Sequence, residues 1–290
     1  MNIRELINKG IETISVTFPE REAREMVLLY LEDAHGVKRF THILEPSYEV
    51  SYEAAEQANV DFGRMAKGEP MQYITGKAHF YGREFNVSPS VLIPRPETEV
   101  LCRDVVQYCR KSPKPKVLDM CTGSGCIAWT LALDIPGAEV TAVDVSEGAL
   151  TIASSQGFAD ERAKTGAAAP CFFYADVLCE IPSQLVPSSF DIIVSNPPYV
   201  MDSEKALMRT NVLEHEPHLA LFVPDNDPLL FYRAVARWSS CLLVPGGFGI
   251  VEINEALGPQ TAEVFKSAGF SNVEVVQDLN DRDRFVSFHR

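Results

Sequence analysis

The feature that most constrains the fold is an order of strand, turn and helix that repeats from about residue 97. Lys116 to Met120 is a short apolar strand, followed by the glycine-containing turn from Cys121 to Gly125 and an apolar helix from Cys126 to Leu133. Further strands are predicted at Glu139 to Val145, Cys171 to Tyr174, Phe190 to Ser195, Phe248 to Ile253, Val273 to Val276 and Phe285 to Phe288. Alternating strands and helices favour an α/β fold with a parallel, doubly wound sheet.

The sequence before this α/β region has a different character. Apolar side chains recur three or four positions apart in Pro19 to Gly36 and in Tyr52 to Met65, which indicates helices. We therefore predict a helical N-terminal domain over residues 1–72. Residues 73–95, including Tyr73 to Gly76, are rich in aromatic and β-branched residues punctuated by glycine, and predict a β-hairpin linker. The remainder, residues 96–290, forms the predicted α/β domain.

Composition excludes several classes of function. The formal net charge is −14 and no basic stripe is present, so we expect no direct binding to nucleic acid. The seven cysteines form no CxxC pair and the six histidines show no HxxxH spacing, which predicts reduced thiols and no metal site. No apolar run is long enough to span a bilayer, and the charged first residues do not resemble a signal peptide. We expect a cytoplasmic protein.

The turn after the first α/β strand predicts a nucleoside cofactor. A glycine-rich turn lets a ligand approach the backbone, and Asp144, 19 residues beyond Gly125, ends the next strand where a carboxylate can accept ribose hydroxyls. The turn lacks the G-x-G-x-x-G pattern of dinucleotide sites, so S-adenosylmethionine is favoured over a dinucleotide; a turn without a ligand is the remaining alternative. The candidate cofactor-binding residues are Cys121, Thr122, Gly123, Ser124, Gly125, Asp144, Asp176, Val177 and Asn196.

Asp176 and Val177 have two interpretations. Asp176 follows the third predicted strand, where it could accept the exocyclic amine of adenine while Val177 packs on the ring. An aspartate after a strand is also a common turn former.

The four residues Asn196-Pro197-Pro198-Tyr199 predict the chemistry. They follow the apolar strand Phe190 to Ser195, and the prolines stiffen the chain so that carbonyl oxygens are left as free acceptors. An amide side chain beside such carbonyls can hold an NH2 group by both protons, and Tyr199 offers a flat face for stacking. This pattern suits methylation of a planar nitrogen, either a carboxamide or the amine of adenine. A proline turn that merely ends a strand is the structural alternative.

Longer motifs resemble the HemK/PrmC methyltransferases, which modify a glutamine in peptide chain release factors. The most discriminating is V-L-I-P-R-P-E-T-E at 91–99. Others are P-M-Q-Y-I-T-G at 70–76, F-Y-G-R-E-F-N-V at 80–87, the turn at 119–125, D-V-S at 144–146, S-N-P-P-Y-V at 195–200, E-P-H-L-A-L at 216–221, L-V-P-G-G at 243–247 and D-R-D-R-F-V at 281–286.

The resemblance implies a Rossmann-like class I methyltransferase with a mixed seven-stranded sheet and a helical N-terminal domain that grips the release factor. It implies transfer of a methyl group from S-adenosylmethionine to N5 of the glutamine in the Gly-Gly-Gln loop of class I release factors. We expect the chain to be a monomer. Asn196, Pro197 and Tyr199 would be catalytic, and Asn196 to Tyr199, including Pro198, would bind the glutamine. The family usually has glycine where this chain has Cys121; the side chain would line the methionine pocket or require a negative φ.

Two other functions stay open on the sequence alone. An adenine-N6 DNA methyltransferase would also use the Asn196 segment to hold a planar NH2 group, although it would need a groove for DNA. The second is a cofactor-binding module without catalysis, although such a module would not require a segment that holds the NH2 group of a substrate.

Several polar residues outside these motifs are weaker candidates. Glu252 and Gln260 could line the pocket, although Glu252 is expected to be a solvated carboxylate at a strand end. His215 and Glu216 are interpreted as loop structure that shapes the substrate cleft. Arg95 and Glu97, the last pair, could order the linker or form an ion pair.

Overall fold

The computed structural model describes residues 1–110, 114–278 and 280–290, and it divides into two compact units. The first unit contains Met1–Lys77 and the short segment Arg209–His215. The second contains Ala78–Met208 and Glu216–Arg290. Residues 78–95, predicted as part of a linker, therefore cluster with the α/β unit.

The first unit is a bundle of helices. They are α1 (Ile3–Ile14), α2 (Glu20–His35), α3 (Thr41–Leu44), α4 (Tyr52–Met65) and α5 (Met71–Thr75), together with α10 (Thr210–His215). Asn2 caps α1 with a reciprocal bond to Glu5, and Gly36 ends α2 in the left-handed conformation. A Cβ at Gly10 of α1 would lie 2.7 Å from the Phe62 ring of α4, so the small residue allows these helices to pack closely.

One prediction in this region is wrong. Tyr73 to Gly76, expected to begin the hairpin, lies in α5 and its C-cap, because Gly76 adopts a φ of +73° that ends a helix. The two-stranded sheet follows directly, with β1 (Lys77–Phe80) and β2 (Arg83–Asn86).

The second unit is built on a seven-stranded sheet in the order β10-β11-β9-β6-β3-β4-β5. Its strands are β3 (Lys116–Met120), β4 (Glu139–Asp144), β5 (Cys171–Tyr174), β6 (Phe190–Ser195), β9 (Leu243–Glu252), β10 (Ser271–Gln277) and β11 (Asp283–His289). Two further strands, β7 (Val200–Met201) and β8 (Phe222–Val223), pair in parallel beside it. All seven strands of the main sheet were predicted, with shifts of a few residues at their ends.

The sheet is mixed, so the expectation of a purely parallel sheet is wrong at one edge. Five adjacent strands of the sheet pair in parallel, in the order β9, β6, β3, β4 and β5. By contrast, β11 is antiparallel to both β9 and β10. Parallel neighbours need a crossover of a dozen or more residues, but β10 ends at Gln277 and β11 begins at Asp283, which leaves room only for antiparallel pairing. The mixed sheet implied by the family resemblance is present.

Helices cover both faces of the sheet. They are α6 (Pro96–Cys109), α7 (Cys126–Asp134), α8 (Glu147–Ser154), α9 (Ala159–Thr165), α11 (Leu230–Leu242) and α12 (Gly258–Ser267). Successive strand residues serve opposite faces: Val117 belongs to the apolar cluster of α6 and α7, and Leu118 to that of α11 and α12. From β3 the sheet continues to β4 and β5 on one side and to β6 and β9 on the other, so the strand order reverses at β3. The carboxyl ends of β3, β4 and β6 form the crevice where such folds bind ligands.

No helix in the described ranges combines the length and the apolar character needed to cross a membrane.

Candidate active site

The turn between β3 and α7 has an unusual backbone. Cys121, Gly123 and Gly125 have φ values of +62°, +55° and +79°, all in the left-handed region. The N–H of Gly123 donates to Oδ2 of Asp144 at 2.9 Å, and a Cβ at Gly125 would lie 3.0 Å from the Cβ of Ala153. The turn is therefore folded tightly against the end of β4 and α8.

Of the two alternatives expected for Cys121, the structure agrees with a side chain that lines the cavity described below and not with a negative φ. The residue keeps the left-handed conformation that glycine adopts without cost. Burial, with Asp144 and Asp119 nearby, raises the pKa of the Cys121 thiol well above its usual value. A raised pKa favours the neutral thiol over the nucleophilic thiolate.

Asp144 lies at the end of β4 with both carboxylate oxygens directed by backbone donors. Oδ2 accepts from Gly123 N–H, and Oδ1 accepts from Ser146 N–H at 2.9 Å. Burial raises the pKa of Asp144, but the backbone N–H groups oppose the shift by favouring the carboxylate. Each oxygen keeps a lone pair with which it can accept a hydroxyl from a ligand.

A cavity opens at this edge of the sheet. Its empty volume, counted together with the open mouth, is about 970 Å³. Nine of the predicted site residues line it: Cys121, Thr122, Gly123, Ser124, Asp144, Asp176, Val177, Asn196 and Pro198. The other three, Gly125, Pro197 and Tyr199, do not line it.

Asp176 combines its two predicted roles in part. Its Oδ1 accepts from Leu178 N–H at 2.8 Å, which makes it the turn former that follows β5. It also lines the cavity, next to the buried Val177. The geometry allows a contact with a ligand but does not leave the whole carboxylate free.

Asn196 takes part in a chain of side-chain hydrogen bonds. Its Nδ2 lies 3.3 Å from Oγ1 of Thr98, and that hydroxyl lies 2.6 Å from Oε2 of Glu252. The Tyr199 hydroxyl donates to Oε1 of the same carboxylate at 3.0 Å. Tyr199 thus directs its hydroxyl toward Glu252, and stacking of its ring on the substrate stays a prediction.

The expectation that Glu252 is a solvated carboxylate is wrong. It is 1% exposed rather than solvated, and burial raises the pKa of its carboxyl, opposed by the donors Thr98 and Tyr199. Gln260 is exposed on α12 and does not line this cavity. Thr98, which sequence reasoning missed, lies in the I-P-R-P-E-T-E run, and that run was the available signal.

A second connection joins two segments of the cavity wall. Nη2 of Arg95 lies 2.6 Å from Oε1 of Glu216, and Ile93 N–H donates to Oε2 at 3.3 Å. Arg95 therefore pairs with Glu216 and not with its neighbour Glu97.

Asp119 lies under the turn, fully buried at the end of β3. Its Oδ2 accepts from the Thr122 hydroxyl at 2.6 Å, and Oδ1 has no hydrogen-bond partner among the described residues. Burial raises the pKa of Asp119 to about 7. Within the described ranges, no group of three or more histidine, cysteine or acidic side chains is placed to hold a metal ion.

Comparison with known proteins assigns the chain to a family. A PrmC N-terminal domain model matches residues 5–76, and a methyltransferase small domain model matches residues 98–219. A release factor glutamine methyltransferase from Flavobacterium psychrophilum is 36% identical over 99% of this chain and 98% of that protein. One from Bacteroides thetaiotaomicron is 39% identical over 96% of this chain and 97% of that protein.

The chain belongs to the release factor glutamine methyltransferase family. Among solved structures, a release factor-specific protein-(glutamine-N5) methyltransferase from Alicyclobacillus acidocaldarius is 30% identical, over 71% of this chain and 99% of that chain, with a TM-score of 0.41.

The predicted family, the class I methyltransferase fold, the enzyme class and the cofactor S-adenosylmethionine are thereby confirmed. The cavity fits this cofactor. A Cβ at Gly123 would meet no atom within 4 Å, so open space lies over the turn where a ligand can reach the backbone.

Proposed function

We propose that this enzyme methylates N5 of the glutamine in the Gly-Gly-Gln loop of class I release factors. The observation that carries the proposal is that Asn196 and Pro198 line the same cavity as Gly123 and Asp144. A group that can hold a carboxamide thus lies beside a group suited to a nucleoside, in a chain of this family.

The cofactor residues divide by chemistry. Asp144 would accept the ribose hydroxyls, and Val177 would pack against the adenine with Asp176 at its edge. The turn from Cys121 to Gly125 would receive the amino-acid end through its backbone N–H groups, because the Thr122 hydroxyl is already donated to Asp119. When bound, S-adenosylmethionine supplies a methyl group activated by a sulfonium.

Asn196 would hold the glutamine. An amide nitrogen is a poor nucleophile because its lone pair is conjugated with the carbonyl group, so positioning must supply most of the acceleration. Oδ1 of Asn196 would accept one N–H of the substrate carboxamide, and the backbone carbonyl of Pro197 would accept the other. Placement of this kind is worth roughly 7 to 11 kcal/mol in favourable cases.

No side chain needs to remove a proton before the reaction. The nitrogen becomes positively charged as it is methylated, and oxygen acceptors on its N–H groups stabilise that charge. The proton leaves afterwards.

The test uses the purified protein, a purified release factor and labelled cofactor, with the modified peptide mapped by mass spectrometry. We expect one methyl group on the glutamine of the Gly-Gly-Gln loop. Asn196→Ala should abolish turnover while calorimetry shows nearly unchanged cofactor affinity. Methylation elsewhere, or near wild-type turnover by the variant, would contradict the proposal. Duplex DNA offered as the acceptor at low salt is the control for adenine methylation.

We also propose roles for the parts of the chain. Residues 1–72 would recognise the release factor, residues 73–95 would connect them to residues 96–290, and the last would carry the reaction in a cytoplasmic monomer. The match of residues 5–76 to the PrmC N-terminal domain supports this division. Hydrogen exchange should show protection within residues 1–72 when release factor is added, and light scattering should give the mass of one chain.

A further inference from the structure

The hydrogen bonds around Thr98 have a definite direction. A threonine hydroxyl carries one proton, and the short distance of 2.6 Å to Oε2 of Glu252 shows that this proton is donated to the carboxylate. Toward Asn196, the Thr98 oxygen can then only accept. It is buried, at 2% exposed, so no bulk water replaces either partner.

This direction determines which end of the Asn196 amide faces Thr98. The nitrogen must face the hydroxyl, at 3.3 Å, because a reversed amide would place its oxygen against another oxygen that has no proton to give. Oδ1 is then on the opposite side of the amide, and no described residue donates to it. Since Asn196 lines the cavity, this oxygen is available to a ligand there.

Glu252 in turn is held by two hydroxyls. Tyr199 donates to Oε1 and Thr98 to Oε2, so both oxygens have a donor although the side chain is buried. With both donors in place, the carboxylate has no tendency to rotate away from Thr98.

We propose that Thr98 and Glu252 are positioning residues that lock the Asn196 carboxamide with its oxygen toward the substrate. The inference rests on the proposed function and deepens it. An oxygen at this position accepts from the NH2 group of glutamine and repels the carboxylate of glutamate. The lock is therefore a determinant of specificity for a carboxamide as well as an aid to turnover.

The experiment compares three variants with the wild type. Thr98→Val removes the hydroxyl at constant shape, Thr98→Ser retains the hydroxyl, and Thr130→Val makes the same change at another buried threonine, in α7, whose Oγ1 has no described partner. Each is measured for cofactor affinity, for kcat and KM with release factor, and, by calorimetry, for the dissociation constants of two competitors of the substrate. These are release factor with its Gly-Gly-Gln glutamine changed to glutamate, and the methylated release factor as a reference.

We expect Thr98→Val to lose about 10- to 100-fold in kcat with KM and cofactor affinity changed less than about threefold, as for a misoriented buried group. Thr98→Ser should recover most of the loss, and Thr130→Val should match the wild type. The preference against the glutamate competitor should fall by about tenfold in Thr98→Val, because the amide is then free to turn its NH2 group toward a carboxylate. This ratio needs no turnover, and contacts elsewhere on the release factor cancel in it.

Equal kcat and an unchanged competitor ratio in wild type and Thr98→Val would overturn the inference, as would failure of Thr98→Ser to recover activity. If Thr98→Val does not fold, Thr98→Ala makes the same deletion and is judged by the same criteria. Absence of release factor methylation by the wild type would instead overturn the proposed function, and the inference with it.

Discussion

Arg95 and Glu216 are 121 positions apart in sequence, yet Nη2 of the arginine lies 2.6 Å from Oε1 of the glutamate. The Glu216 side chain is 1% exposed and that of Arg95 is 33% exposed, so the arginine brings the carboxylate its counter-charge at the edge of the cavity. The flanking residues Pro94 and Pro217 both line this cavity. The ion pair therefore joins two parts of its wall.

Arg95→Ala should weaken both folding and cofactor binding. Removal of the arginine leaves the buried carboxylate with only the Ile93 N–H as a donor, which costs up to about 3 kcal/mol in the free energy of unfolding. We expect cofactor affinity to fall by about tenfold, as measured by calorimetry. The matched control is Arg103→Ala, which breaks an exposed pair with Asp104 at 2.9 Å and should change stability by less than about 1 kcal/mol. Equal behaviour of the two variants would contradict a role for the ion pair in the cavity wall.

At position 121, glycine should give a more stable protein than alanine, which is the reverse of the usual order. At most positions glycine is less stable than alanine by roughly 0.5–1 kcal/mol. At a φ of +62° a side chain carries a conformational cost of order 1–2 kcal/mol that glycine avoids. Urea unfolding without cofactor should therefore give Cys121→Gly a higher free energy of unfolding than Cys121→Ala.

The comparison of these two variants cancels the loss of the sulfur, which both share. If Cys121→Ala is the more stable, the backbone at this turn is not in the left-handed conformation.

The strands were predictable because their apolar runs are short, bounded by turn residues and separated by helices. The location of the cavity residues followed, since Cys121 and Asn196 come directly after strands, Asp144 ends one, and the carboxyl ends of these strands meet at one edge. The antiparallel edge strands were not predictable from alternation alone, because pairing direction depends on the connection and not on the strand sequence.

The contacts of side chains were less accessible to sequence reasoning. Glu252 was expected to be solvated because it ends a strand, but it faces Thr98, which is 154 positions away, and is buried. Such a partner becomes visible only when the fold brings α6 to the end of β9. For Tyr199 the sequence likewise indicated a role for the ring, whereas the hydrogen bond from its hydroxyl to Glu252 became visible only in the fold.

Asp119 should make stability depend on pH. In the folded chain it holds its proton up to a pKa of about 7, whereas the unfolded chain releases it near 3.8. Between these values unfolding releases a proton, so a rise in pH favours unfolding; above pH 7 and below 3.8 the contribution is constant. The free energy of unfolding contributed by this group therefore falls as pH increases from about 4 to about 7.

Asp119→Asn removes this titration. The difference in unfolding free energy between Asp119→Asn and wild type should become more favourable to the variant as pH rises through this window, by up to roughly 4 kcal/mol for a shift of three pKa units. Urea denaturation at several pH values without cofactor measures it, and contributions from groups that do not interact with Asp119 cancel in the difference; Asp144 does interact with it. A difference that does not vary with pH would show that Asp119 ionises normally.

Tyr199→Phe distinguishes a stacking role from a hydrogen-bonding role. The substitution keeps the ring, so activity should survive if the ring holds the substrate by stacking. It removes the donor to Oε1 of Glu252, whose other neighbours are Thr98, the cation of Arg284 and the like charge of Glu97. We expect kcat to fall by about tenfold, because one hydrogen bond to a buried charged group is lost.

The pH profile gives the sharper result in the same variant. Burial already raises the pKa of Glu252, and the Tyr199 hydroxyl opposes that shift, so its removal should raise the pKa of Glu252 further. Protonated Glu252 can donate to Thr98 and release the Asn196 amide, and activity should therefore be lost as pH falls through the pKa of Glu252. The acid limb of kcat against pH should lie at higher pH in Tyr199→Phe than in wild type. An unchanged limb together with unchanged kcat would assign Tyr199 to packing alone.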